Sequence, residues 1–281
     1  MSHTTLVSVG ELAARLADPD WLVLDCRFDL GDRDAGARAW QAGHIPGAIH
    51  ADLERDLSAP VTPKTGRHPL PPIDAFVATL SRWGVTGGAQ VIAYDAGNSA
   101  YAARLWWMLR YLGHDAVAVL DGGYGAWLAE GHPISDASVE RRPGRFVARL
   151  RPEMLCDAAG VAAALARGEL LVDVRGAERF AGRVEPLDTV AGHVPGAVNL
   201  PFTQNLDDKS RFRPKAELAK LWRERTGLTD GTRLTCMCGS GVTACQGLLA
   251  LEVAGHPGGR LYAGSWSEWI RDPARPVARD D

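Results

Sequence analysis

The sequence predicts an α/β protein built from two tandem domains, each a mostly parallel sheet flanked by helices. The chain has 281 residues, which suits two domains of about 140 residues each. Short β-rich runs alternate with stretches of helical periodicity, the pattern of a parallel sheet covered by helices. The two halves also match each other at a spacing of about 150 residues, which is one whole domain rather than a short repeat.

The first half begins with an apolar run at residues 21–25, which predicts a buried strand. Similar runs predict strands at 91–95 and 116–120. Between them, apolar residues recur at helical spacing over 73–83 and 100–112, so that amphipathic helices are expected there. Strands and helices therefore alternate in this half.

The second half repeats this alternation. Strands are predicted at 170–174 and 234–237, and helices at 158–166, 215–225 and 243–254. Between the halves, the segment from 133 to 152 is mostly polar and contains Pro143-Gly144, which is typical of a linker. We therefore predict domains at 1–136 and 153–281, joined by a linker at 137–152.

Particular motifs occur once in each half. The hexapeptide at 43–48 (Gly-His-Ile-Pro-Gly-Ala) corresponds to the one at 192–197 (Gly-His-Val-Pro-Gly-Ala). In the same alignment, Asp95 of the first half falls on Cys238 of the second. Because a carboxylate cannot perform thiolate chemistry, the first half is predicted to be a non-catalytic copy and the second half to hold the active site.

The most informative segment is Cys238-Gly239-Ser240-Gly241-Val242-Thr243-Ala244, a glycine-spaced loop between a predicted strand and a predicted helix. Backbone N–H groups at the start of a helix point toward such a position, and the helix dipole adds positive potential there. Both effects favour thiolate over thiol. The glycines allow the loop to turn its N–H groups inward. Cys238 is thus predicted to be a nucleophile.

Composition excludes several classes of function. A net charge of −3 gives no basic surface for nucleic acid, and 46% hydrophobic residues suit a globular protein. We expect no membrane span and no targeting segment, and hence a cytoplasmic protein. The five cysteines lack the spacing of a disulfide framework or a zinc site, so neither disulfides, metal nor cofactor is expected.

The motifs together resemble two-domain sulfurtransferases of the rhodanese family, over nearly the whole chain. The resemblance rests on both Gly-His-x-Pro-Gly-Ala segments, the Asp-x-Arg strand ends at Asp25 and Asp173, and the Asp121-Gly122-Gly123 turn followed by Trp127. It implies two rhodanese-like domains. The loop after Cys238 is similar to that of the branch that uses 3-mercaptopyruvate, whereas members that prefer thiosulfate typically carry an Arg-Lys pair after the cysteine.

The resemblance implies that Cys238 takes sulfur from 3-mercaptopyruvate as a persulfide, releases pyruvate, and passes the sulfur to an acceptor. The acceptor would be a small thiol, a thioredoxin-like protein or cyanide. Ser240, with His68 and Glu54 from the first half of the sequence, would handle the donor's thiol proton. The substrate would be bound by the clamp residue Arg179, by Arg183 in place of a second family arginine, and by loop residues Gly239, Gly241, Val242 and Thr243.

Other interpretations remain open from the sequence. A thiosulfate:cyanide sulfurtransferase would use the same persulfide with a different donor. A non-catalytic sulfur-sensing or binding module is possible in principle, because the first half already lacks the cysteine. A cysteine phosphatase is disfavoured, since its Cys-x5-Arg loop would need arginine where this chain has Ala244. Cys236 and Cys245 are expected to be core residues within a strand and a helix.

Overall fold

The computed structural model describes residues 2–228 and 233–280. These residues contain two parallel five-stranded sheets. Each sheet belongs to one compact unit. The first unit comprises Met1–Ala59, Leu70–Arg151 and Asp208–Phe212, and the second comprises Pro60–Pro69, Pro152–Asp207 and Arg213–Asp281. The predicted domain limits at residues 1 and 281 lie outside the described residues.

The first unit alternates strands and helices along the chain. Its strands are β1 (Leu6–Val7), β2 (Trp21–Asp25), β3 (Ile49–His50), β4 (Gln90–Tyr94) and β5 (Val117–Leu120). Its helices are α1 (Val9–Ala13), α2 (Ala35–Ala42), α3 (Ile73–Arg82), α4 (Ala100–Tyr111) and α5 (Gly123–Ala129).

The second unit has the same succession. Its strands are β6 (Leu155–Cys156), β7 (Leu170–Asp173), β8 (Val198–Asn199), β9 (Leu234–Met237) and β10 (Arg260–Tyr262). Its helices are α6 (Ala158–Ala166), α7 (Ala177–Ala181), α8 (Lys215–Thr226), α9 (Thr243–Val253) and α10 (Ser265–Trp269), with 3-10 turns at Pro152–Met154 and Phe202–Asn205.

The two sheets have one topology. The strand order is β1-β5-β4-β2-β3 in the first and β6-β10-β9-β7-β8 in the second, which is the same order advanced by five strands. Every pairing between these strands is parallel. The predicted fold class and the internal duplication are therefore confirmed.

The central strands are apolar runs because they are covered on both faces. All residues of β4, β5 and β9 are buried, as parallel sheets with helices on both sides require. In the first unit, Trp127 packs in a core with Tyr94, and in the second Trp266 packs in a core with Met237. Among the described residues, none of the helices combines the length and apolar character needed to cross a membrane.

The Asp-x-Arg motif ties a strand end to the Gly-His-x-Pro turn in both units. In the first, the guanidinium of Arg27 donates to Asp25 at 2.6 Å and to the Gly43 carbonyl at 2.8 Å. In the second, Arg175 donates to Asp173 and to the Gly192 carbonyl, both at 2.7 Å. These charge-assisted bonds within the buried interior fix the carboxyl end of each sheet, where the loops that carry chemistry begin.

Candidate active site

Cys238 lies where the sequence predicts it, in the loop between the end of β9 and the start of α9. Its N–H donates to Oγ of Ser265 at 3.0 Å, and its carbonyl accepts from the N–H of Trp266 at 3.0 Å. The start of α10 therefore holds the cysteine backbone. The N–H of Gly241 donates to Cys238 Sγ at 3.1 Å, so an inward-turned amide contacts the sulfur.

Gly241 is required by the loop geometry. Its φ is +76°, and a Cβ at this position would lie 2.2 Å from the carbonyl oxygen of Ala263. The left-handed conformation and the close backbone approach both demand glycine. At the end of the loop, the buried Val242 accepts a backbone bond from Cys245 at 3.0 Å, and Thr243 is the first residue of α9. The loop is thus set by its backbone.

His68 meets the loop at Ser240. Its Nδ1 lies 2.8 Å from Ser240 Oγ, and both side chains are buried. The segment 60–69, which carries His68, belongs to the same compact unit as Cys238 although it lies far away in sequence. The structure therefore brings together three of the four predicted catalytic residues, Cys238, Ser240 and His68.

Arg179, on the short helix α7, is held by two buried carboxylates. Its Nη2 donates to Glu185 at 2.7 Å and to Asp188 at 3.2 Å. Glu185 also pairs with Arg175 at 3.3 Å, which connects this group to the Asp-x-Arg motif. The Arg179 side chain remains 21% exposed, so a ligand can reach it.

Arg67 is a residue that the sequence interpretation missed. Its guanidinium pairs with Asp188, the same carboxylate that holds Arg179. Glu185 and Asp188, the two carboxylates that hold Arg179, were not predicted either. The available signal for Arg67 was its position directly before His68.

Two predicted site residues, Glu54 and Arg183, form ion pairs with residues of their own units. Glu54 belongs to the first unit, where its carboxylate pairs with Arg33 at 3.2 Å. Arg183 pairs with Glu178 at 2.9 Å, and about half of its side chain is exposed. Catalytic or binding roles for Glu54 and Arg183 therefore stay predictions.

In the first unit, an aspartate stands at the position that corresponds to the nucleophile. Asp95, the counterpart of Cys238, is 1% exposed and directly follows β4. Burial raises the pKa of this carboxyl group, and hydrogen bonds from backbone N–H groups oppose that effect. The four donors, at 3.0 to 3.2 Å, are the amides of Gly97, Ser99, Tyr101 and Ala102. The Asp95 carboxylate therefore accepts hydrogen bonds from the backbone N–H groups that follow it in the chain.

Cys236 and Cys245 lie in the core beside the loop, within β9 and α9. Both are fully buried, and burial raises the pKa of the Cys236 thiol well above its ordinary value. This placement agrees with the predicted core role. Within residues 2–228 and 233–280, no group of three or more His, Cys, Asp or Glu side chains is arranged to hold a metal ion.

We predict that Glu185 makes stability pH-dependent. Burial would raise the pKa of Glu185, but hydrogen bonds from Arg179 and from the N–H groups of Leu187 and Asp188 outweigh it, so the pKa is lowered. A lowered pKa means that the ionised form stabilises the fold above the ordinary Glu pKa of about 4.3, and that this contribution is lost as pH falls through the folded-state pKa.

The substitution Glu185→Gln should therefore lower the free energy of unfolding at pH 7, and its difference from the unsubstituted protein should shrink as pH falls from about 5 to about 3. Urea denaturation across this range measures both. Glu178→Gln is the matched control, because Glu178 forms a surface pair with Arg183 and should change stability little. A difference that stays constant across the range would contradict the prediction.

Comparisons with known proteins agree with this architecture. The family model described as "Rhodanese-like domain" matches residues 8–130 and 157–272. A Pseudomonas aeruginosa protein named "Probable 3-mercaptopyruvate sulfurtransferase" is 50% identical over 100% of both chains. A Mycobacterium tuberculosis protein named "Putative thiosulfate sulfurtransferase SseB" is 39% identical over 98% of this chain and 96% of that one.

The fold of a solved relative is also close. The crystal structure of SseA from Escherichia coli, described as a 3-mercaptopyruvate sulfotransferase with the rhodanese fold, superposes with a TM-score of 0.83. It is 34% identical and covers 95% of this chain and 100% of its own. Duplicated sheets, the cysteine loop and these similarities lead to one conclusion: the chain belongs to the rhodanese family.

Proposed function

We propose that this protein is a sulfurtransferase that moves sulfur from 3-mercaptopyruvate, through a persulfide on Cys238, to a thiol or cyanide. The observation that carries the proposal is the Cys238 loop itself. Sγ accepts the N–H of Gly241 at 3.1 Å, and Ser240 on the same loop contacts His68 at 2.8 Å. A nucleophile with a stabilising amide and an adjacent hydroxyl–imidazole pair suits nucleophilic catalysis with proton transfer.

In the first half-reaction, the Cys238 thiolate attacks the sulfur of the donor. An S–S bond forms while the C–S bond of the donor breaks, and its electron pair passes to carbon to give the enolate of pyruvate. The proton of the donor's thiol passes through Ser240 to His68, and the enolate takes up a proton to become pyruvate. Cys238 is left as a persulfide.

In the second half-reaction, an acceptor removes the outer sulfur. A small thiol or a thioredoxin-like protein attacks as thiolate, becomes a persulfide itself, and releases the Cys238 thiolate; cyanide would become thiocyanate by the same displacement. The amide of Gly241 supports the departing thiolate, since a charge-assisted hydrogen bond stabilises sulfur most when it is anionic.

The charge of the site favours 3-mercaptopyruvate over thiosulfate. Arg67, Arg175 and Arg179 carry three positive charges, and their partners Asp173, Glu185 and Asp188 carry three negative charges, so this set is neutral. A neutral set suits a donor with one carboxylate better than a dianion. Thiosulfate is the second candidate donor, because the Mycobacterium tuberculosis relative is named for it.

The test is the intact mass of the protein after brief incubation with each donor, together with assay of released pyruvate. We expect faster gain of one sulfur atom from 3-mercaptopyruvate, with pyruvate released in equal amount. Faster gain from thiosulfate would make that donor the substrate. If neither donor adds sulfur, the non-catalytic binding module replaces the enzyme.

We also propose the domain limits 1–136 and 153–281 with the linker 137–152, supported by the two family matches, which fall inside these limits. A cytoplasmic location is supported by the five cysteines, all of which are free thiols. Limited proteolysis should cut first at the start of this linker, within 137–140, where the residues are exposed and belong to no helix or strand.

A further inference from the structure

We infer that Arg67, together with Arg179, binds the donor's carboxylate. Both guanidinium groups lie beside Gly239 and share the carboxylate of Asp188. The inference rests on the proposed function for the identity of the donor. Arg67 is not part of the family motifs in this sequence. It lies directly before His68 and would bind the carboxylate together with Arg179.

The backbone around Arg67 is fixed against α10. The N–H of Arg67 donates to Oγ of Ser267 at 3.0 Å. The preceding residue, Gly66, approaches so closely that a Cβ there would lie 2.5 Å from the carbonyl oxygen of Gly264. Because α10 also holds the backbone of Cys238 through Ser265 and Trp266, the arginine and the nucleophile share one support.

The guanidinium of Arg67 is oriented by Asp188. One carboxylate oxygen of Asp188 accepts from Arg67 and the other accepts from Arg179 at 3.2 Å. Asp188 is 5% exposed, whereas Arg67 is 27% exposed, so the anchor is buried and the cation can be reached from solvent. A guanidinium has five N–H donors in a fixed fork, and binding Asp188 leaves others for a ligand.

Both guanidinium groups converge on Gly239. A Cβ placed on Gly239 would lie 2.7 Å from Nη2 of Arg67, and 3.5 Å from both Nη1 and Nη2 of Arg179. Both guanidinium groups therefore lie against the Cα side of Gly239 that a side chain would otherwise occupy, one residue from Cys238. Two guanidinium forks this close to each other are suited to bind one carboxylate, which accepts hydrogen bonds on both oxygens.

Arg183 has a different environment. Its guanidinium is engaged by the carboxylate of Glu178 through two bonds at 2.9 Å on the surface. Arg67 instead shares Asp188 with the clamp residue Arg179. Of the two candidates for the second guanidinium, the geometry therefore points to Arg67.

The first test is steady-state kinetics of Arg67 variants with 3-mercaptopyruvate. Arg67→Ala should raise KM about ten- to one-hundredfold and change kcat less than about threefold, because ground-state carboxylate binding is lost. Arg67→Lys, which keeps the charge but not the fork, should raise KM less. The exposed Arg271→Ala is the matched control and should leave KM unchanged. An unchanged KM in Arg67→Ala, or a raised KM in Arg183→Ala alone, would overturn the inference.

The second test displaces the Arg67 guanidinium without replacing either arginine. Gly239→Ala places a methyl group against the movable end of Arg67, so KM should rise while thermal stability is kept. Gly241→Ala meets the rigid Ala263 carbonyl and should lower stability instead. If Gly239→Ala binds the donor normally, the carboxylate is not held by the guanidinium of Arg67 beside Gly239. This test also decides the matter if Arg67→Ala fails to fold.

A third measurement separates this inference from the proposed function. Pyruvate carries the carboxylate but no sulfur, so calorimetric titration with pyruvate probes the subsite without turnover. Arg67→Ala should bind pyruvate about tenfold more weakly than the unsubstituted protein. Equal affinities would refute the subsite even if sulfur transfer proceeds. If Arg67→Ala loses affinity for pyruvate but 3-mercaptopyruvate forms no persulfide on the unsubstituted protein, the carboxylate site is supported and 3-mercaptopyruvate is refuted as the donor.

Discussion

Replacing Cys238 with serine is expected to reduce sulfur transfer by about three orders of magnitude or more, because the hydroxyl is a far weaker nucleophile and cannot form a persulfide. The fold should persist, since the serine keeps the backbone bonds to Ser265 and Trp266 that hold this position. Pyruvate release measures turnover, and intact mass shows whether sulfur is bound.

Cys156→Ser is the matched control. Cys156 is a buried cysteine of the same unit, placed in β6 rather than in the loop, so its substitution should leave most of the activity. If Cys238→Ser still gains sulfur rapidly, the proposed persulfide mechanism on Cys238 is wrong. Loss of activity in both variants would indicate that the substitution acts through the core.

Replacing Asp95 with alanine is expected to lower the free energy of unfolding by about 3 kcal/mol, because four backbone N–H groups, two buried and two partly buried, lose their acceptor. The Asp95→Asn variant keeps one side-chain oxygen, so its free energy of unfolding should lie between those of Asp95→Ala and the unsubstituted protein. Urea denaturation measures the loss of stability. Amide hydrogen exchange at Gly97 and Tyr101 should accelerate, since both amides bond to the carboxylate.

Asp115→Ala is the surface control for this experiment. The Asp115 carboxylate forms a half-exposed pair with Arg151, and the loss of such a pair costs about 1 kcal/mol or less. If Asp95→Ala costs no more than the control, the carboxylate does not organise the loop of the first unit. The loop would then need another explanation for its buried amides.

The sequence predicted those features of the fold that are repeated or strongly periodic. The long helices α4 and α9 and the central strands β2 and β9 lie within two residues of their predicted positions. The edge strands β1, β3, β6 and β8 were not predicted, since each has two residues and so short a segment shows no periodicity. Their pairing depends on the neighbouring strand rather than on their own composition.

Within the site, local sequence was sufficient for Cys238, Ser240 and Gly241, because a strand, a glycine-spaced loop and a helix follow one another directly. It was insufficient for Arg67. That residue lies 121 positions from its partner Asp188, and a single sequence carries no signal for a pair so distant. Prediction of long-range ion pairs requires the fold, since only the fold determines which distant segments become neighbours.

The bond from the Arg67 backbone to Ser267 has a consequence for how this protein can vary. Arg67 and His68 are consecutive, and one stretch of backbone fixes both of them. Inserting or deleting a single residue between Gly66 and His68 would shift the arginine and the imidazole out of register together. Among natural variants, we therefore expect length changes in segment 60–69 to accumulate before Gly66, where Val61, Pro63 and Lys64 are exposed.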